Sequence, residues 1–189
     1  MWPILVLSIV TLGVVIERAL FLVQEMRCQD HATVHHIFEL VEHGKIEDAA
    51  QAGKGSKDRV ARILIQGLEH RHSSLNDALL EASSQELERH NRGLVTLDTA
   101  VTLGPLLGLL GTVTGMIRAF GVIGGNAIAD KQQAITGGVA EALIAVSFGL
   151  GVAILAIIPL NFFTARLEKV RRQLEGAMNR LTILLSKGD

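Results

Sequence analysis

A chain of 189 residues that is 49% hydrophobic, with a mean hydropathy of +0.37, carries more apolar side chain than an ordinary soluble domain buries. Eighteen Lys and Arg against nineteen Asp and Glu leave a net charge of −1, which argues against nucleic acid as a partner. Cys28 is the single cysteine, so a disulfide within the chain is excluded.

The apolar excess falls in three stretches, Trp2 to Val23, Val95 to Phe120 and Ile135 to Phe163. Each has the roughly 20 residues that a helix rising 1.5 Å per residue needs to cross a bilayer core of about 30 Å. The first stretch, residues 1–23, lacks a basic leader and runs into Glu17-Arg18 without a small-residue cleavage site, so it reads as an uncleaved anchor. Glu17 and Arg18 are expected as interfacial anchors at its end.

Residues 24–94 read as a helical region. Asp30 is placed to cap a short helix carrying Val34, Ile37, Phe38 and Val41, with Gly44 as its stop. Ile46 to Ala52 forms a second short helix ended by Gly53, and Gly53-Lys54-Gly55-Ser56-Lys57 is a break before a helix bearing Val60, Ile63, Leu64 and Leu68. From Leu75 the spacing of Leu75, Leu79, Ala82 and Leu87 is helical. No breaker is evident before Pro105, so the pattern predicts one long helix running into the second span, with Asp98 at its membrane entry.

The second span, residues 95–120, puts Gly104, Gly108, Gly111 and Gly115 on one face, where close helix approach is possible. Thr102, Pro105, Leu109, Thr112 and Met116 form a different stripe. After a short connection, residues 121–134, the third span at 135–163 carries a matching small-residue line: Gly138, Ala142, Ala145, Gly149, Ala153 and Ala156. Glu141 lies beside that line. A carboxylate at the bilayer centre costs about 2.5–3.5 kcal/mol on insertion scales, so it should face protein or water. Thr112 has two readings, a hydroxyl bonded back to its own helix or one facing a polar path. Glu141 is either a structural bond between helices or part of that path. The tail, residues 164–189, repeats Leu167, Val170, Leu174, Ala177, Leu181 and Leu184 at helical intervals and should pack on the other helices or on a neighbouring copy.

Nine Lys and Arg lie between Gln24 and Leu94 and six after Phe163, whereas the connection holds only Lys131. The positive-inside rule then puts the large loop and the tail in the cytoplasm, and the N-terminus and the connection outside. All seven histidines lie between His31 and His90. His31 and His35 are one turn apart, but no further ligand completes a metal set, and solvent is the expected environment. Gly53-Lys54-Gly55-Ser56 is no phosphate loop: Asp48 stands where a Walker motif needs its first glycine. No catalytic or cofactor signature appears.

The string Gly104 to Gly115, GPLLGLLGTVTG, followed by Met116 and Phe120, together with Gly137 to Gly151, GGVAEALIAVSFGLG, and Asn161, resembles the MotA/TolQ/ExbB proton-channel family. ExbB members are nearest and TolQ members next. The likeness covers about residues 1–175 and is looser over Gly44 to Leu68. It implies an all-α integral membrane protein with three transmembrane helices that extend into a helical cytoplasmic region. It further implies a homo-oligomer, a pentamer, around the helices of a dimeric single-pass partner of the ExbD or TolR type, whose transmembrane aspartate takes up and releases protons. By motif, Thr112 matches the hydroxyl that faces this aspartate and Glu141 the glutamate of the third span; Thr102, on the Thr112 stripe, and Ser147 are further candidate pore-lining hydroxyls. Two positions depart from the pattern: Val146 where the family often has Thr, and Leu155 where it often has Pro, with Pro159 one turn later. Ser147 is the nearest hydroxyl to Val146 but points about 100° away. The implied function is to couple proton flow in the bacterial inner membrane to outer-membrane transport through a TonB-type protein. A TolQ-like motor for envelope maintenance and a non-conducting membrane scaffold are the alternatives.

Overall fold

The computed structural model describes residues 2–26, 30–121 and 128–188, with side chains except those of 72–73, 128–134 and 187–188. Cys28, residues 122–127 of the connection and the Lys131 side chain lie outside the described residues. Among the described residues there are seven helices and no strand: α1 Trp2–Met26, α2 His31–Glu42, α3 Ile46–Ala52, α4 Arg59–Glu69, α5 Arg71–Asn91, α6 Leu94–Gly121 and α7 Ile128–Gly188. They divide into two compact units, Met1–Ala19 with Gly93–Phe163, and Leu20–Arg92 with Thr164–Asp189.

The first unit holds the apolar parts of α1, α6 and α7. Three helical segments, Trp2–Met26, Leu94–Gly121 and Ile135–Ser186, are long and apolar enough to cross a membrane. Large apolar side chains lie outward all round them, among them Leu12, Leu106, Ile117, Phe148 and Ile158. Water would penalise such a surface by about 25 cal/mol per Å², whereas lipid tails do not. On the inside, Ile4 of α1 is buried with Ala145 and Val152 of α7, with Leu7 and Leu107 packed against them. Pro105 lies within α6 and Pro159 within α7, and neither interrupts its helix.

The second unit has an ordinary core. Ile37, Phe38 and Val41 from α2, Ala49 from α3, Ala61, Ile63, Leu64 and Leu68 from α4, Leu79 and Ala82 from α5, and Val170, Leu174 and Leu181 from α7 are buried together. The tail periodicity is thereby used within this chain. Two of the short helices, α2 and α4, start at side-chain caps. The Asp30 carboxylate accepts from Thr33 N at 3.1 Å. Asp58 Oδ1 accepts from Val60 N at 2.8 Å and Ala61 N at 3.2 Å, while its Oδ2 accepts from Asp30 N at 2.9 Å. One buried carboxylate thus caps α4 and anchors the start of α2. The Arg180 guanidinium stacks over the Phe38 ring at 4.5 Å.

One expectation is corrected. The helix from Leu75 does not continue to Pro105: it ends at Asn91, and α6 begins at Leu94. The break is Gly93, whose φ of +79° lies in the left-handed region; its carbonyl accepts from Leu97 N at 3.1 Å to open α6. Arg18 is buried. It is 7% accessible and pairs with Glu17 at 3.2 Å. A Cβ on Gly93 would lie 2.8 Å from Arg18 Nε and 3.1 Å from Val14 Cγ1, so this glycine is needed for space as well as for its dihedral. Gly55 has a φ of +86° with open space around it. Gly55→Ala is therefore expected to cost about 1–2 kcal/mol from the backbone term alone, and Gly93→Ala clearly more. Comparing the thermal melts of the two purified variants checks the difference.

Candidate functional site

The two glycine-bearing helices meet backbone to backbone. A Cβ on Gly104 would sit 2.7 Å from the Gly149 carbonyl oxygen, and one on Gly149 would sit 3.0 Å from Gly108 Cα. A Cβ on Gly108 would reach Val146 Cα at 3.1 Å, one on Gly111 would run into Ala145 Cβ, and one on Gly115 would reach Ala142 Cβ at 3.1 Å. Gly138 closes the far end against Ala119 and the Gly115 carbonyl. The small residues of α6 and α7 therefore mate along the whole seam. In lipid, where apolar burial supplies no drive, this proximity supplies the dispersion contacts that hold the helices together.

The seam has two sides, and the polar residues divide between them. On one side, Thr112, Val113, Met116 and Phe120 of α6 and Val139, Ala142 and Leu143 of α7 line an open groove of about 660 Å³. Thr102 falls on the same side of α6, within about 80° of Thr112. On the other side, Glu141 pairs with Arg118 across the seam, Oε1 to Nη1 at 3.7 Å. Residues two apart on a helix point about 200° from one another, so Glu141 faces away from the groove that Val139 and Leu143 line. Thr102 and Thr112 thus share a side of α6, about 15 Å apart along its axis, whereas Glu141 lies on the opposite side of the seam from Thr112. Ser147 is exposed on the face of α7 directed away from α6. Packing of α1 is also one-sided: Ile4 and Leu7 cover Leu107, Ala145 and Val152, leaving the Thr112 groove open.

Each hydroxyl donates to its own helix: Thr112 Oγ1 to the Leu109 carbonyl at 2.7 Å, Thr102 Oγ1 to Thr99 O at 3.0 Å and Ser147 Oγ to Leu143 O at 3.0 Å. The back-bonded reading of Thr112 is realised, and it leaves the oxygen lone pairs available. A hydroxyl whose proton is committed in this way accepts a hydrogen bond from a protonated acid. The groove therefore offers an acceptor, and none of the residues that line it titrates.

A second polar cluster lies in the second unit, and the sequence reading did not find it. Arg59 Nη1 donates to Glu25 Oε1 at 2.8 Å and Nη2 to Gln173 Oε1 at 2.8 Å. His90 Nε2 lies 2.6 Å from Glu25 Oε2 and its Nδ1 2.9 Å from the Glu86 carbonyl, with the edge of Phe21 at 5.4 Å between centroids. Burial pushes the His90 pKa down, but its bonds to Glu25 and to the Glu86 carbonyl, with both carboxylate charges, outweigh that and hold it above the ordinary value. Glu25, Glu86 and His90 bring donor atoms within 4.8 Å of one another. Arg59 and Arg62 already neutralise those carboxylates, so the cluster is an ion-pair network. His31 and His35 are exposed, as expected. The signals for the network were separate: a carboxylate just past an apolar run and a histidine three residues before a glycine.

With this geometry in view, comparison with known proteins is informative. The family model described as the MotA/TolQ/ExbB proton channel family matches residues 55–176. A protein named ExbB-like 1 of Synechocystis is 34% identical over 164 residues, 84% of this chain and 64% of its own length. The Tol-Pal system protein TolQ of Pseudomonas aeruginosa is 40% identical over 95 residues, 48% of this chain and 39% of its own. The biopolymer transport protein ExbB of Xanthomonas campestris is 38% identical over 94 residues, 50% of this chain and 37% of its own. The chain thus spans less than two thirds of the length of each. All three are relatives by similarity.

The seam yields a test. Gly108→Leu with Gly111→Leu is expected to separate α6 from α7, at about 1–3 kcal/mol for each overpacked site, and to replace the unmodified chain's elution peak by a broad or aggregated profile on size-exclusion chromatography in detergent. Gly151→Ala, where a Cβ meets nothing within 4 Å, is expected to elute as the unmodified chain does.

Proposed function

The chain belongs to the MotA/TolQ/ExbB proton channel family, and on that premise we propose that it is the channel-forming subunit of a proton-driven motor. It resides in the bacterial inner membrane, with the second unit in the cytoplasm, as the distribution of Lys and Arg favours. Several copies, five by resemblance, surround a dimeric single-pass partner of the ExbD or TolR type. The observation that carries this reading is the open groove beside a small-residue seam. It is apolar except for Thr112, an acceptor with no titratable group beside it. A channel built from such grooves holds no charge of its own and needs an acid from elsewhere, which a transmembrane aspartate of the partner supplies.

With α1 packed on the far side of the seam, a ring of copies turns α1 toward lipid and the Thr112 side inward. The partner's aspartic acid, when protonated, donates to Thr112 Oγ1; when ionised, it is drawn toward water at the cytoplasmic end. A proton crossing 100 mV releases about 2.3 kcal/mol, enough to bias one rotational or rocking step of the partner helices. Glu141, paired with Arg118, acts at the outer end of the seam, where the two charges fix the approach of protons. Thr102 extends the acceptor line toward the cytoplasm, and Ser147 contributes at contacts between copies. The output passes through the partner to a TonB-type protein serving outer-membrane transport.

Reconstitution in liposomes tests the reading. With the single-pass partner, proton flux driven by a pH gradient is expected, and without it none. Thr112→Val should lower the flux about tenfold, the worth of one lost hydrogen bond of roughly 1.4 kcal/mol, with assembly intact. Glu141→Ala should lower it as well. A correctly sized complex that conducts nothing with its partner would instead identify a membrane scaffold.

A further inference from the structure

The Glu25–His90 contact requires a particular protonation state. A carbonyl oxygen only accepts, so His90 Nδ1, 2.9 Å from Glu86 O, must carry a hydrogen. Glu25 accepts a charge-assisted bond from Arg59 at 2.8 Å and is a carboxylate, so Nε2 at 2.6 Å from Glu25 Oε2 must carry one too. A neutral imidazole satisfies only one of these contacts; the other would set a lone pair against an oxygen. The side chain is 7% accessible and that of Glu25 15%, so water does not replace the lost partner without rearrangement.

We propose that His90 is a protonation-dependent latch: as an imidazolium it ties the end of α5 to Glu25 of α1, and through Arg59 to α4 and Gln173 of α7, and when neutral it releases them. A cavity of about 250 Å³ lined by Glu25, His90, Arg59, Arg166, Lys169 and Gln173 gives protons access to the ring. The groups around His90 are opposed in sign. Glu25 from α1 and Glu86 from α5 favour the imidazolium, whereas Arg59 and Arg62 from α4, Arg89 from α5, and Arg166 and Lys169 from α7 disfavour it. The two carboxylates are the groups in direct contact or on the adjoining turn. The latched state is complete below the ordinary histidine value of about 6.5 and is lost as pH rises through the higher folded value. Glu25, His90 and Gln173 lie on the three chain segments by which this unit continues into the spans, so the latch joins all three. Its compartment, the cytoplasm, rests on the topology proposed above; the latch itself does not.

The test uses the full chain in lipid nanodiscs, with thermal melting and amide hydrogen exchange from pH 5.5 to 9. In the unmodified chain the melting temperature is expected to fall above pH 6.5, with the protection factors of residues 86–92, taken relative to intrinsic exchange at each pH, falling about tenfold as that turn opens. His90→Gln and the isosteric Glu25→Gln should each remove the pH step. His43→Gln should keep it, because His43 makes the same backbone contact, Nδ1 to Glu39 O at 2.7 Å, at an exposed site. Absence of a step in the unmodified chain, or its persistence in Glu25→Gln, would overturn the latch. No ion flux enters the measurement, so a non-conducting chain would still show the step, and the two readings fail separately.

Discussion

Everything in the first unit depends on the smallness of the residues between α6 and α7, where glycine meets backbone or alanine. Gly104 and Gly149, Gly108 and Val146, and Gly111 and Ala145 stand where one added methyl would enter backbone or Cβ atoms. A seam this close removes any room for a passage between the two helices of one chain. Polar groups are consequently found on its two sides, Thr112 on one and Glu141 on the other. Close packing thereby decides where chemistry is available, although none of the glycines takes part in it.

The division explains why hydroxyls serve this unit. A threonine in a transmembrane helix satisfies its donor on a carbonyl of the preceding turn, as Thr99, Thr102, Thr112 and Thr114 do, and so costs little to insert. It retains acceptor lone pairs that cost nothing until an acid approaches. A carboxylate has no such economy, and Glu141 is found with an arginine opposite it. The Thr112 groove itself is lined by no charged residue.

The second unit solves the opposite problem. Its core is apolar and conventional, but it buries Arg59, Glu86 and His90 at its edge, a costly arrangement unless every charge is answered. Glu25 answers two of them at once. Such a network has two states, complete and broken, and one proton on His90 separates them.

Periodicity alone made most of the fold legible. The three apolar runs, the cap of α2, the stops of α2 and α3, and the helical intervals of the tail each depend on local spacing, and the structure has helices where those patterns place them. The glycine and alanine lines were legible for the same reason, since residues three and four apart share a face whatever surrounds them. Gly93 was not recognised as a break, because a glycine in a helical pattern is tolerated as often as it ends one, and only the packing of Arg18 and Val14 against it decides. The side of the seam on which Glu141 falls was not legible either: Arg118 becomes its partner only when two helices have met. Nor was the Glu25–His90–Arg59–Gln173 network, whose members are scattered over four helices. One-dimensional order specifies which face each residue takes on its own helix; which faces meet, and therefore which charges are answered, is decided by close packing in three dimensions.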